Sequence, residues 1–525
     1  MPNPSPLRRL AVLAALAATL ATGSAAGREV PGFGVVAFPN SCKPAVAARL
    51  DRAVARLHAF DGPEDDFLAV AKADPACAIA WWGAAMSVRG NPLAGPPDEA
   101  ASASGRAYLA KALAKEPGSA FERGLIDALS VYYRDPGPGG HRARTAAYEA
   151  EMERLAAAHS DDPEVQSFAG LAILEAVDLT DKSYARQLKA GAILEKVWAT
   201  YPEHPGAPHY LIHAYDYAPL AARALPAARR YAGIASPSMH AQHMPSHIYS
   251  MLGMWAESIA ANRDAARLGG HGAHAASAKL DAADPHGMDF IAYARLQLAQ
   301  DREVAAALAR AERSEERTIA AARYLLERGD WTGAAAMPVS QGSPLDQLTV
   351  RFVRALGAAR AGRPPAEACQ EVAALRALRP AIERREGAYW AGLVDVYGTA
   401  AEAWAARIEG KPEEALRLML AAADLDDGRE KHILLENKLL PIRELYGELL
   451  AELGRPAEAL VAFEESLKSS LNRLRSYLGA ARAARDLGQA EEARRRYGQV
   501  AALGRDADPG RPEIVEARSY PPQGR

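Results

Sequence analysis

His204-Pro-Gly-Ala-Pro-His209-Tyr-Leu-Ile-His213 and His240-Ala-Gln-His243-Met-Pro-Ser-His247 together hold six of the chain's 13 histidines. His209 and His243 stand 34 residues apart, as do His213 and His247. Tyr215 and Tyr249 keep the same spacing, and so do Leu225 and Ile259. A recurring interval of this length belongs to repeat architectures built from helix–turn–helix units. Two successive units therefore carry a histidine pair at matching positions.

The C-terminal end repeats at the same interval. Leu453-Gly454 and Leu487-Gly488 are 34 apart, as are Ala459 and Ala493, and Phe463 and Tyr497. Alanine lets two helices approach closely and the aromatic fills the space beside it, which is the tetratricopeptide pattern. Gly329-Asp330-Trp331 with Ala334, and Gly410-Lys411 with Ala415, repeat the turn. Asp74-Pro75, Glu116-Pro117, Asp162-Pro163 and Tyr201-Pro202 mark turns between earlier units, because proline ends one helix and opens the next. Trp81 falls where the repeat wants a bulky aromatic. At 525 residues the chain is too long for one ordinary core, and no alternating strand pattern interrupts the helical periodicity. The fold class is all-α, an α–α superhelix of antiparallel helix pairs whose A helices line a concave groove.

Residues 1–26 read as an export signal, with Arg8 and Arg9 before an apolar run from Leu10 to Leu20 and small residues to Ala26. The run is shorter than the roughly 20 residues that span a bilayer. The mature chain is thus expected to be secreted across the inner membrane into the periplasm, with no membrane span after signal removal. An extended segment follows at 27–41, a solenoid carrying the histidines at 42–268, and a Gly/Ala/His-rich insertion at 269–287. A second solenoid runs over 288–507, and a Pro- and charge-rich, partly ordered tail over 508–525. An oxidising compartment would let Cys42 and Cys77 pair; the alternative is two small buried thiols. Cys369 is expected to be buried on a helix. Net charge is −3 with both signs interspersed, and no basic stripe marks a nucleic-acid surface.

Several stretches resemble an exported bacterial tetratricopeptide-repeat family of poorly defined activity. They are Asp-Pro-Ala-Cys-Ala-Ile-Ala-Trp-Trp-Gly-Ala-Ala-Met, within His58 to Pro92, and the two histidine stretches, within His204 to Trp255. His286 to Gln297 and Leu440 to Pro512 extend the likeness over most of the mature chain. The resemblance implies the solenoid and export, and no defined reaction. Val88-Arg89-Gly90-Asn91-Pro92 departs from it, since relatives carry a histidine between the asparagine and the proline.

Set in the repeat frame, His209 and His243 fall near the starts of two A helices, with His213 and His247 one turn later. Pro245 suits a first turn, so that helix is expected to begin near Met244, with His240 supplied by the preceding loop. Pro208 likewise sets a helix start just before His209. Two imidazoles at i and i+4 chelate from one helix face. Asp216 follows His213 by three residues, and His286 with Asp289 opens the next A helix after the insertion. The expected metal set is thus His209, His213, Asp216, His240, His243, His247, His286 and Asp289, holding a transition metal ion, zinc or iron ahead of copper. Met239, Met244, Met251 and Met254 nearby would suit copper, or fill gaps in the core. Two other readings stay open: a groove binding a peptide, partner protein or small molecule, and a structural hydrogen-bond network. His58, His141, His159 and His432 read as isolated packing or surface residues. No His-Glu-x-x-His box, P-loop, dinucleotide fingerprint or nucleophile elbow is present, so catalysis at the site is left open and no catalytic residue is assigned.

Overall fold

A computed structural model of the chain describes residues 27–134, 140–269, 285–312 and 314–520. The signal-like segment, and His271 and His274 of the insertion, lie outside these residues. Within them the extended segment forms one short hairpin, Arg28–Glu29 against Val35–Val36, and helices joined by turns make up the rest.

The repeat chemistry read at the C-terminal end works as follows. Gly454 and Gly488 both take φ of +73°, the left-handed conformation that glycine adopts without a Cβ clash. Each ends one helix and turns the chain into the next, Pro456–Ser469 and Ala490–Leu503. Phe463 then packs between two neighbours: a Cβ on Gly447 would lie 2.9 Å from its ring, and one on Gly479 only 2.3 Å. The ring is buried because both flanking helices present bare backbone there. Burial of one such side chain contributes about 1.5–3 kcal/mol.

Each helix packs on the next in sequence, and alternate helices also touch. Pro163–Glu175 meets Gly206–Tyr215, which meets Pro245–Met251, which meets Pro285–Gln297; Glu315–Glu327, Pro344–Arg360 and Ala388–Ile408 continue the row. That row is the inner layer of an all-α superhelix. One large apolar core runs from Val30 to Ile248 and a second from Ala322 to Ala483. Trp82, rather than its half-buried neighbour Trp81, is the ring sunk into the first core, against Phe38 and Phe168.

The superhelix closes on itself. Trp255 Nε1–H donates to the Asn472 carbonyl at 3.0 Å, and Leu474 N–H donates to Gln297 Oε1 at 3.0 Å. Buried Arg473 binds Glu444 (2.7 and 2.9 Å), Glu327 (2.7 Å) and the Tyr293 hydroxyl (3.0 Å), tying four helices together. The 428–441 segment lies along the inner layer. Glu430 N–H donates to the Leu179 carbonyl (2.8 Å) and Lys431 reaches Asp216. The carbonyls of Asn437 and Lys438 accept from Arg323 at 2.7 and 2.8 Å.

Two expectations, on Cys369 and on His240, are corrected. Cys369 is exposed, on the outer face of Pro365–Arg376, because Ala368 takes the inward position beside it. The tail past Asp508 contains a helix, Pro512–Ser519, pinned by Ile514 against Gly504 and by Arg511 on Asp301. His240 lies not in a loop but in a short helix, Met239–His243, which Ser238 caps at its N-terminus. Pro245 then opens a second helix, Pro245–Met251, so His243 ends one and His247 lies in the next. Cys42 and Cys77 form a disulfide.

Candidate metal centre

Six imidazoles meet in two sets of three. His209, His213 and His240 form the first; His243, His247 and His286 form the second. Within each set, one ring nitrogen from each histidine lies within 4.8 Å of the other two. Nε2 of His209 is 3.1 Å from Nε2 of both His213 and His240, and Nε2 of His243 is 3.0 Å from that of His247. The sets adjoin: ring centroids are 6.2 Å apart between His213 and His247, and 6.3 Å between His240 and His243.

Each set has a phenylalanine wall. Phe60 packs edge-on against His209 (centroids 4.5 Å) and faces His213 (5.9 Å) and His240 (5.6 Å). Phe290 packs edge-on against His243 (4.8 Å), His247 (4.9 Å) and His286 (5.2 Å). Phe60 holds φ of +51°, a costly conformation for a bulky side chain that strain-bearing functional sites tolerate. Tyr231 stacks flat on His209 at 5.0 Å.

Hydrogen bonds on the far side of the rings fix the tautomers. His209 Nδ1–H donates to the His58 carbonyl at 2.5 Å, leaving a lone pair on Nε2. His247 Nδ1–H donates to Asp216 Oδ2 at 2.9 Å. His243 Nδ1–H donates to Asn262 Oδ1 at 2.7 Å, and the amide is oriented by its own donation from Nδ2 to the Ser258 carbonyl at 2.8 Å. His243 and His247 therefore point two Nε2 lone pairs at each other across 3.0 Å. A cation between them would make that arrangement favourable. Burial disfavours a proton in that role: it pushes His247, His213 and His240 well below the ordinary imidazole value, and His209 down to about 3. A metal ion fits between His243 and His247, whose two Nδ1–H groups are each held by an oxygen acceptor in the usual orienting arrangement, whereas His213 Nδ1 has no such partner.

Asp216 and Asp289, expected as ligands, are placed elsewhere. Asp216 supports His247 from behind and accepts from Lys431 Nζ at 2.6 Å. Burial raises the Asp216 carboxyl above its ordinary value, and Lys431 opposes that rise. Asp289 accepts from Arg323 Nε at 2.9 Å, so its carboxylate is engaged by that guanidinium. Met244 and Met251 are buried in core packing.

A third cluster lies behind the first set. His58 Nε2–H donates to Glu164 Oε2 at 2.7 Å, and His204 Nε2 is 3.4 Å from Glu164 Oε1. Burial pushes Glu164 up, but His204 and His58 outweigh it and hold the carboxyl far below its usual range. The Ala37 N–H also binds Glu164 Oε1 at 3.0 Å, and the Tyr210 hydroxyl lies 3.0 Å from His58 Nδ1. His204 Nε2 has no hydrogen bond beyond that 3.4 Å approach, but the other contacts make the cluster a brace: it fixes the His58 carbonyl that orients His209. Isolation was the wrong reading for His58. Glu164, Phe60, Asn262 and Lys431 carry no sequence signal: Glu164 is 40 residues from His204 and 106 from His58, Phe60 149 from His209, Asn262 one helix beyond His243, and Lys431 184 from His247.

No family model matches the chain, and no curated protein matches it. Solved structures align at low identity. The human IFIT1 dimer with m7Gppp-AAAA is 13% identical over 89% of this chain and 93% of its own, with a TM-score of 0.35. Cut9 in the APC/C Cut9–Hcn1 hetero-tetramer is 11% identical over 73% of each chain, with a TM-score of 0.32. The P58(IPK) TPR domain is 13% identical over 85% of this chain and 99% of its own, at 0.24. The chain is a tetratricopeptide-like solenoid by its own helix pairing, and these likenesses say nothing of its ligand.

Proposed function

We propose that this solenoid is a transition-metal protein whose two three-histidine sets each hold one ion through imidazole Nε2 atoms. The facing lone pairs of His243 and His247, each fixed by an oxygen acceptor on Nδ1, carry this reading. Zinc and copper accept a set made only of imidazoles. Iron oxygenase sites more often include a carboxylate, and both candidate carboxylates are engaged elsewhere. We further propose export to an oxidising compartment, which the leader-like N-terminus and the Cys42–Cys77 disulfide support. No helix among the described residues is long and apolar enough to cross a membrane.

A second reading, a scaffold for a peptide or partner protein, draws support from the solenoid architecture. The inner layer from Asp216 to Arg323 is already contacted by the chain's own 428–441 segment, which weighs against a long peptide there. Elemental analysis of the purified chain after growth with zinc, copper and iron available tests the first reading. We expect near-stoichiometric metal in the parent and a large loss in the His213→Ala/His247→Ala double variant. Trace metal in both sinks the proposal, and partner capture unchanged by a chelator would favour the scaffold.

A further inference from the structure

The two histidine sets differ from most two-ion sites in what they lack. Among the described residues, no carboxylate joins either set. The buried carboxylates near them have cationic or imidazole partners: Asp216 has Lys431, Asp289 has Arg323, Glu164 has His58 and His204, and Glu436 lies 3.9 Å from Arg323. Two divalent ions bound here would bring four positive charges into a buried space with no carboxylate among their ligands. The cost of burying an ion rises with the square of its charge, so two monovalent ions cost far less. Copper(I) is the monovalent first-row ion that imidazole binds.

The spacing adds a second constraint. The sets meet ring to ring at 6.2–6.3 Å, through His213 with His247 and His240 with His243. Sets that adjoin in this way can hold their ions as a pair, for which separations are roughly 3.5–4 Å. Phe60 packs on one set and Phe290 on the other, while His240 and His286 are the two ligands that are only partly buried. A small neutral molecule therefore has an approach at that edge.

We propose that the two sets act as one coupled copper pair that takes dioxygen between the ions, an inference that rests on the metal-binding reading above. Each copper(I) gives up one electron and becomes copper(II). Dioxygen accepts both electrons, its O–O double bond becomes a single bond, and the resulting peroxide dianion bridges the ions. No proton and no outside reductant enter this step. The charge of the pair and its guest is the same before and after, two positive, so a site without carboxylates tolerates the oxidation. The bridging dianion supplies the anion that copper(II) needs.

The test loads the purified chain with copper(I), as its acetonitrile complex, under argon, and then admits air. The expected result is two coppers per chain, one dioxygen consumed per two coppers, and an oxidised pair silent in electron paramagnetic resonance. His240→Gln and His286→Gln each remove one partly exposed ligand and leave an i,i+4 pair. Each variant is expected to hold one copper tightly and to lose at least tenfold in dioxygen uptake, with its melting temperature checked beside the parent's. Should a variant unfold, stoichiometry and resonance of the parent chain still decide. Two coppers with no uptake, or with a full signal from uncoupled copper(II), overturn the coupled pair and leave the metal reading intact. Stoichiometric zinc with only trace copper does the same. Trace amounts of every metal overturn both.

Discussion

His247 and Asp216 lie on neighbouring units of the solenoid, yet the imidazole Nδ1–H donates to the carboxylate Oδ2 at 2.9 Å. The bond turns Nε2 toward His243 and makes it a ligand. An Asp216→Asn change keeps an acceptor but removes the charge. Support of this kind is worth about 10- to 100-fold in metal affinity. We expect a loss in that range by competition with a chromophoric chelator, and an unchanged affinity would separate Asp216 from the site.

Lys431 comes from 215 residues away to the same oxygen, 2.6 Å from it, and both side chains are buried. Removing one partner of a buried pair costs about 3–5 kcal/mol, because the other is left charged and alone. Lys431→Met should therefore destabilise strongly in urea unfolding. The double variant Lys431→Met/Asp216→Asn should recover part of that loss, and strictly additive effects would show the pair to be uncoupled.

Gly479 lies beneath the Phe463 ring, where a Cβ would come within 2.3 Å. Gly479→Ala normally favours a helix, but here the ring must move within a filled core. Overpacking of this kind costs about 1–3 kcal/mol. A lowered melting temperature is the expected outcome. A rise would mean the ring has room to shift.

The Cys42–Cys77 bridge closes a 35-residue separation beside the first histidine set's supporting helices. In the chain-entropy account such a loop gives about 4 kcal/mol. Cys42→Ser/Cys77→Ser is expected to lose an amount of that order, as reducing agent does to the parent, and the variant should be indifferent to reducing agent.

Glu436 carries the clearest pH signature. Burial pushes its carboxyl up to about 8, with Arg323 at 3.9 Å only partly opposing. Between the ordinary value of 4.5 and about 8, the folded chain holds a proton that the unfolded chain gives up. Stability from this group therefore falls as pH rises through that window. Glu436→Gln mimics the protonated acid, so we expect it to be near neutral at pH 5 and stabilising at pH 8. A destabilising effect at pH 8 would mean that the ionised form is what Arg323 needs.

The sequence by itself determined the repeat. Glycine at 454 and 488, alanine at 459 and 493, and aromatics at 463 and 497 act within one helix pair, so their spacing is a local property that a sequence displays. The same holds for His209 with His213 and for His243 with His247, each pair separated by about one helical turn. Only the tertiary structure decided what the pairs do. It set the two units so that four repeat-related histidines, with His240 and His286, form two adjoining sets. It also sent Asp216 and Asp289 away from the lone pairs they were expected to join. Stacking angle and helix rotation set those directions, and side chains far along the chain supply the hydrogen bonds that fix them. His58, Glu164 and Lys431 act at this site through superhelical closure, a long-range packing outcome that residue spacing does not record.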